Sequence, residues 1–184
     1  EDISEIQILN PIAVGQSIED KEYRLDILVL LNQVQRINIE LQIINFQDWP
    51  NRSLVYLCRQ FDRVSRGGSY NDIQPVHHIS LIDFPLFKDH DEFHGSYMLK
   101  NVNDGYVYNS NFQLSVVELN RTEITTEEDK ISGLEDWVKL FKSTTWEEIK
   151  MLAEKNEFIA SASDSVARYT EGDQPNPLSF THQK

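Results

Sequence analysis

Residues 23–44 read YRLDILVLLNQVQRINIELQII, and their alternation decides the fold. Side chains along a strand point alternately to opposite faces. Tyr23, Leu25, Ile27, Val29 and Leu31 share one face, and Arg24, Asp26, Leu28 and Leu30 the other. In the second run Ile37, Ile39, Leu41 and Ile43 stand opposite Asn38, Glu40, Gln42 and Ile44. The polar stretch Asn32-Gln33-Val34-Gln35 between the runs predicts a β-hairpin. Each run has one wholly apolar face. If both enter a common core, Asp26, Glu40 and Gln42 lie together on the other side. A three-residue loop pairs even positions with even ones, with Asp26 opposite Glu40 or Gln42. A bulge would shift that register by one.

Two carboxylates on adjacent strands, roughly 5 Å apart at Cβ, repel unless a cation lies between them. Carboxylate, carbonyl and water oxygens suit magnesium or manganese. Such an ion activates water and stabilises a phosphoryl transition state. The alternative is the solvated face of an amphipathic hairpin. Leu28, Leu30 and Ile44 beside the acids make a plain surface less natural.

Working outward, Ile3–Leu9 reads as a strand stopped by Asn10-Pro11. Asp48-Trp49-Pro50 opens a helix that runs from about Asn51 to Arg66, where Gly67-Gly68 ends it. Val76–Phe84, Phe93–Asn101 and Phe112–Leu119 read as further strands. Thr125-Thr126-Glu127-Glu128 starts a helical stretch through Phe141. Thr145 with Glu148 fits a capping box for a second, which carries Met151 and Phe158. The order β-β-β-α-β-β-β-α-α predicts a mixed α/β domain with a helical extension and a polar tail.

The first helix carries Arg52, Arg59, Arg63 and Arg66 within a sector of roughly 60° at about 100° per residue. Leu54, Leu57, Cys58, Phe61 and Val64 take the opposite side and are expected in the core. The Arg face reads either as an ordinary solvated surface or as a rail for backbone phosphates, which suit the guanidinium fork. Arg52, nearest the hairpin, is the best candidate for a substrate contact.

With 17 basic and 30 acidic residues in 184, the net charge is −13, which excludes binding nucleic acid by bulk positive charge alone. A cation-holding site would itself add negative charge. The lone Cys58 excludes an internal disulfide framework and points to a reducing cytoplasm. No apolar run is long enough to span a membrane. His77 and His78 point to opposite faces of a strand and read as structural. His90 and His94, with Asp89, Asp91 and Glu92, read as a polar loop rather than a metal cluster. Trp137, Leu140, Phe141 and Trp146 are expected to pack the C-terminal helices onto the domain or a partner, and a homodimer through those helices is expected.

The Asp26…Glu40-Leu41-Gln42 pattern resembles the core of the PD-(D/E)XK nuclease superfamily, in which an Asp on one strand precedes Glu-x-Lys on the next. Here Gln42 replaces the Lys. DISEIQILNP at 2–11, Asp20-Lys21, Leu25-Asp26-Ile27, INIELQ at 37–42, Arg52-Ser53-Leu54-Val55-Tyr56 and Ile82-Asp83-Phe84 stand in the order seen in the Rpn family. Those are recombination-promoting nucleases, transposases of the PD-(D/E)XK type. The resemblance covers roughly residues 1–120. It implies a restriction-endonuclease-like core, a central mixed β-sheet flanked by helices, at 1–120. A helical extension at 121–170 and a tail at 171–184 would follow. It also implies a magnesium-dependent DNA endonuclease acting in recombination or transposition. Asp26 and Glu40 would bind the metal, the Leu41 carbonyl would complete the coordination, and Gln42 would orient the attacking water. An uncharged Gln42 cannot stabilise developing phosphate charge as Lys does. The alternative is therefore a catalytically weak or inactive relative that binds DNA or protein.

Overall fold

The hairpin turns at Asn32 and Gln33, both left-handed with φ 50° and 59°, and Val34 N–H donates to the Leu31 carbonyl at 2.9 Å. Primed turns of this kind match the twist of the flanking strands, and Asn tolerates the left-handed region. The Asn32 side-chain oxygen also accepts from Ser4 N, Ser4 Oγ and Glu5 N, tying the first strand to the turn.

The computed structural model describes residues 3–9, 12–13, 23–24, 27–64 and 67–172, with only the backbone described for 12–13, 23–24 and 165–172. The chain falls into two compact units, 1–124 and 125–184. The first holds a six-stranded mixed sheet in the order β1-β4-β5-β6-β8-β7. These strands are β1 (Ile6–Ile8), β4 (Ile27–Leu31), β5 (Gln35–Gln42), β6 (Val76–Ile82), β7 (His94–Lys100) and β8 (Val107–Glu118). A separate pair joins β2 (Ile12–Ala13) to β3 (Tyr23–Arg24). β5 runs parallel to β6, and helix α1 (Trp49–Phe61) makes the crossover between them. The mixed α/β class expected from the sequence is the class observed.

The even-with-even pairing expected of the hairpin is also observed: Leu28 lies opposite Asn38 and Leu30 opposite Arg36. The expected choice of buried face is overturned. The side of β5 that carries Asn38 and Glu40 is buried, Glu40 being 2% exposed, whereas Leu41 is 41% and Ile43 63% exposed. The crossover explains this. α1 packs over the even face, where β6 contributes Val76, His78, Ser80 and Ile82, all buried. Strands in a parallel pairing are apolar on both faces, so alternation alone does not tell which side the helix covers.

The helix is corrected as well. It ends at Phe61 with Asp62 as its cap, so Arg63 lies beyond it and Arg66 outside the described residues. Its buried residues are Trp49, Ser53, Tyr56, Leu57 and Gln60. Of the expected core face, Leu57 is buried and Phe61 packs edge-on against Phe112 at 5.4 Å. Leu54, at 45%, and Cys58 are exposed. A polar sheet face draws polar helix residues inward, so apolarity misplaces the helix. Trp49, Ile82, Phe84 and Val116 form one apolar cluster, and Leu28 with Tyr56 another.

In the second unit the expected long helical stretches are divided. α2 (Glu127–Ile131) and α3 (Leu134–Lys142) part at Gly133, which adopts φ 75°. α4 (Trp146–Ala153) and α5 (Glu157–Gly172) part at Asn156, whose side-chain oxygen accepts from Phe158 N and Ile159 N. The Thr145–Glu148 capping box forms as expected. Val138 and Ile159 are buried here.

Candidate active site

Glu40 and Gln42 occupy one face of β5 near its C-terminal end, and Arg52 reaches them from the first turns of α1. Arg52 Nη2 lies 3.4 Å from Glu40 Oε1, and Nη1 donates to Gln42 Oε1 at 3.2 Å. Nε donates to Tyr56 Oη at 3.0 Å. The guanidinium also lies over two rings, 5.5 Å from the centroid of Trp49 and 5.2 Å from that of Tyr56. Positions 49, 52 and 56 are i−3, i and i+4 along a helix, so all three meet on one flank. That spacing in the sequence was the available signal for Trp49 and Tyr56, which sequence reasoning passed over. Gln42 is fixed at its other end, Nε2 donating to the Ile44 carbonyl at 2.7 Å.

Behind this cluster lies a buried polar layer. Asn38 Nδ2 and His78 Nδ1 are 2.7 Å apart, and the imidazole sits between the rings of Trp49 and Tyr56. Burial first, then the charges of His77 and Arg52, push the His78 imidazole down to about 4, so it is neutral at physiological pH. Ser80 is the strand partner of Glu40 and is fully buried. Ser80 Oγ, His78 Nε2, Asn38 Oδ1 and Trp49 Nε1 make no hydrogen bond among the described residues. Each such buried atom costs about 1–3 kcal/mol. Such unpaired buried polar groups are uncommon in protein interiors, and here they cluster beside Glu40.

Of the residues read from sequence, Glu40, Gln42 and Arg52 come together. Asp26 lies outside the described residues, although its chain neighbour Ile27 pairs with Ile39, the neighbour of Glu40. The Leu41 side chain takes the opposite face of β5. The Gln42 carbonyl accepts from Asp83 N–H on the β6 side. Strand carbonyls alternate, so that of Leu41 is directed toward the β4 edge. Arg59 is half-buried on the same flank of α1 as Arg52.

The histidines expected to be structural are so placed. His78 faces α1, and His77 on the other face meets Ser115 Oγ at 2.8 Å. In the polar loop His90 approaches Glu92 at 3.5 Å, and Arg121 pairs with Asp91. Among the described residues no three His, Cys, Asp or Glu side chains group to hold a metal ion. Cys58 was expected to be buried and is exposed. Partial burial, then Asp62, push its thiol up, so no thiolate nucleophile is prepared there.

A buried acid, an amide two residues on and a guanidinium across both thus meet on one face of a mixed sheet. The chain belongs to the PD-(D/E)XK nuclease family transposases, which match residues 1–179. No curated protein and no solved structure matches it. Its role is nuclease- or transposase-like, and nucleases of this family act on DNA and generally use divalent metal ions. Among the described residues no helix is long and apolar enough to cross a membrane.

Proposed function

We propose that the chain is a magnesium- or manganese-dependent DNA endonuclease acting in recombination or transposition. The observation that carries this is the Glu40 carboxylate, buried beside Gln42 and bridged to it by Arg52. The residues present fit a hard divalent cation, because the donors are oxygens: the Glu40 carboxylate, the Leu41 carbonyl and, from sequence, Asp26. The 3.4 Å approach of Arg52 to Glu40 is longer than a strong charged hydrogen bond. When bound, the ion would make a water acidic and polarise the scissile phosphate. Asp26 and Glu40 would hold it. Gln42, fixed by Arg52 and Ile44, would orient the attacking water by its amide. Arg52 supplies beside Gln42 the positive charge that a Lys would bring. Arg59, Arg63 and Arg66 would contact backbone phosphates. The reaction is phosphodiester hydrolysis.

A supercoiled-plasmid nicking assay with and without magnesium tests the reading. Nicking is expected with magnesium alone and is lost in Glu40→Gln and Asp26→Asn. The uncharged Gln42 favours a second reading, a catalytically weak or inactive relative that binds DNA or protein. That reading predicts metal-independent DNA binding without nicking. We also infer a cytoplasmic location and a homodimer through the helical unit, which exposes Ile131, Met151 and Phe158. Sedimentation of the full chain tests the dimer.

A further inference from the structure

The far end of α1 holds a second polar cleft, apart from Glu40. It is a cavity of about 140 Å³ lined chiefly by Arg36, Gln60, Arg63, Asp72 and Gln74. Gln60 is buried, and both its amide atoms lack a hydrogen-bond partner among the described residues. Arg36 Nε donates to Gln74 Oε1 at 3.0 Å, which fixes its fork toward the cleft wall. Neither Arg36 nor Arg63 is ion-paired among the described residues. Two guanidiniums against one carboxylate, Asp72, leave the cleft positive in a chain of net charge −13. Burial first, then the charge of Arg63, lowers the Arg36 pKa, so the two cations feel one another. Arg forks and an amide N–H are the donors that a phosphate takes. The cavity is well below the roughly 300–1,000 Å³ of whole-ligand pockets, so it suits a single group.

We propose that this cleft is a socket for one backbone phosphate of a DNA strand whose scissile bond lies at Glu40. The assignment of the strand rests on the nuclease reading above. Arg36 stands four residues before Glu40 on the same face of β5. That is roughly 13 Å at about 3.3 Å per residue, a separation that a few nucleotides of one strand can span. Arg52 and Arg59 lie on one flank of α1 between the two ends, so the strand passes along that flank.

The test measures binding of a labelled short duplex in EDTA, across salt, to wild type, Arg63→Ala and Gln60→Leu. Arg63 is exposed, so its variant folds, and Leu in place of Gln60 removes two unpartnered atoms without opening a cavity. Both variants are expected to bind several-fold more weakly, and Arg63→Ala should lower the salt slope by about one. Inorganic phosphate at constant ionic strength should compete with DNA on wild type and less on Arg63→Ala. Unchanged DNA affinity in both variants overturns the proposal. If phosphate still stabilises wild type over Arg63→Ala in that case, the cleft takes a free phosphoryl group instead. If wild type nicks no plasmid yet Arg63→Ala weakens DNA binding, the nuclease reading falls and the socket stands.

Discussion

At the residue scale, Arg52 couples chemistry to stability. Removing one partner of a buried ion pair strands the other. Arg52 remains a third exposed, which moderates the effect. Arg52→Met is expected to cost about 2 kcal/mol in urea unfolding. Much of that loss should disappear when Glu40→Gln is added, because no charge is then stranded. Simple additivity of the two changes would show that they do not interact. Arg52→Lys keeps the charge but loses the fork that spans Glu40 and Gln42, so it should fall between. His78 makes a separate prediction. Its folded pKa of about 4 lies below the model-peptide 6.5, so between these values the unfolded chain binds more protons. The stability due to neutral His78 is complete above pH 6.5 and declines as pH falls toward 4, by about 3 kcal/mol in all. Unfolding free energies of wild type and His78→Gln over that range check it, and parallel curves would refute it.

At the element scale, α1 separates what pattern can tell from what it cannot. Leu57→Ala should cost about 3 kcal/mol, since the side chain is buried against the sheet. Leu54→Ala should cost well under 1 kcal/mol, because nearly half of that residue faces solvent. Equal losses in chemical denaturation would restore the amphipathic assignment that the sequence suggested. The hairpin register was legible, because turn length and a period of two fix which residues oppose one another. The helix start was legible from Pro50, and the second-unit capping box from Thr145 and Glu148. The covered face of β5 was not, since it depends on where a later strand, β6, places His78 and Ser80. The extent of the helix under the Arg face was not legible for a related reason. Four arginines line up only if the helix continues to Arg66, and it stops at Phe61. That Glu40 and Gln42 share one strand face was legible because a period of two is written locally. Trp49 and Tyr56 are signalled by their helical spacing from Arg52, whereas His78 needed tertiary structure. At the turn, Asn32→Gly keeps the left-handed backbone but loses the bonds to Ser4 and Glu5, and should cost about 1 kcal/mol by thermal unfolding.

At the scale of the whole molecule, charge and exposed apolar surface oppose one another. Ile6, Ile8, Ile27 and Leu41 project from one side of the sheet and are exposed, with Ile43 at the end of β5. Repulsion from a net charge of −13 keeps such faces apart, and it vanishes near the pI of about 4.7. Light scattering should therefore rise steeply as pH approaches that value, and Ile43→Lys should blunt the rise; a pH-independent signal would refute this. The crossover β5–α1–β6 has a last consequence. Parallel pairing of β5 with β6 closes a long loop and is expected to form late, together with the docking of the helix between them. Asn38, Glu40, Arg52, Tyr56, His78 and Ser80 all lie in that one stretch of chain. The same side chains that would handle a phosphodiester are therefore expected to come together in the slow step of folding. Substitutions among them should alter how fast the chain refolds, while changes in the β7–β8 hairpin act mainly on how fast it unfolds.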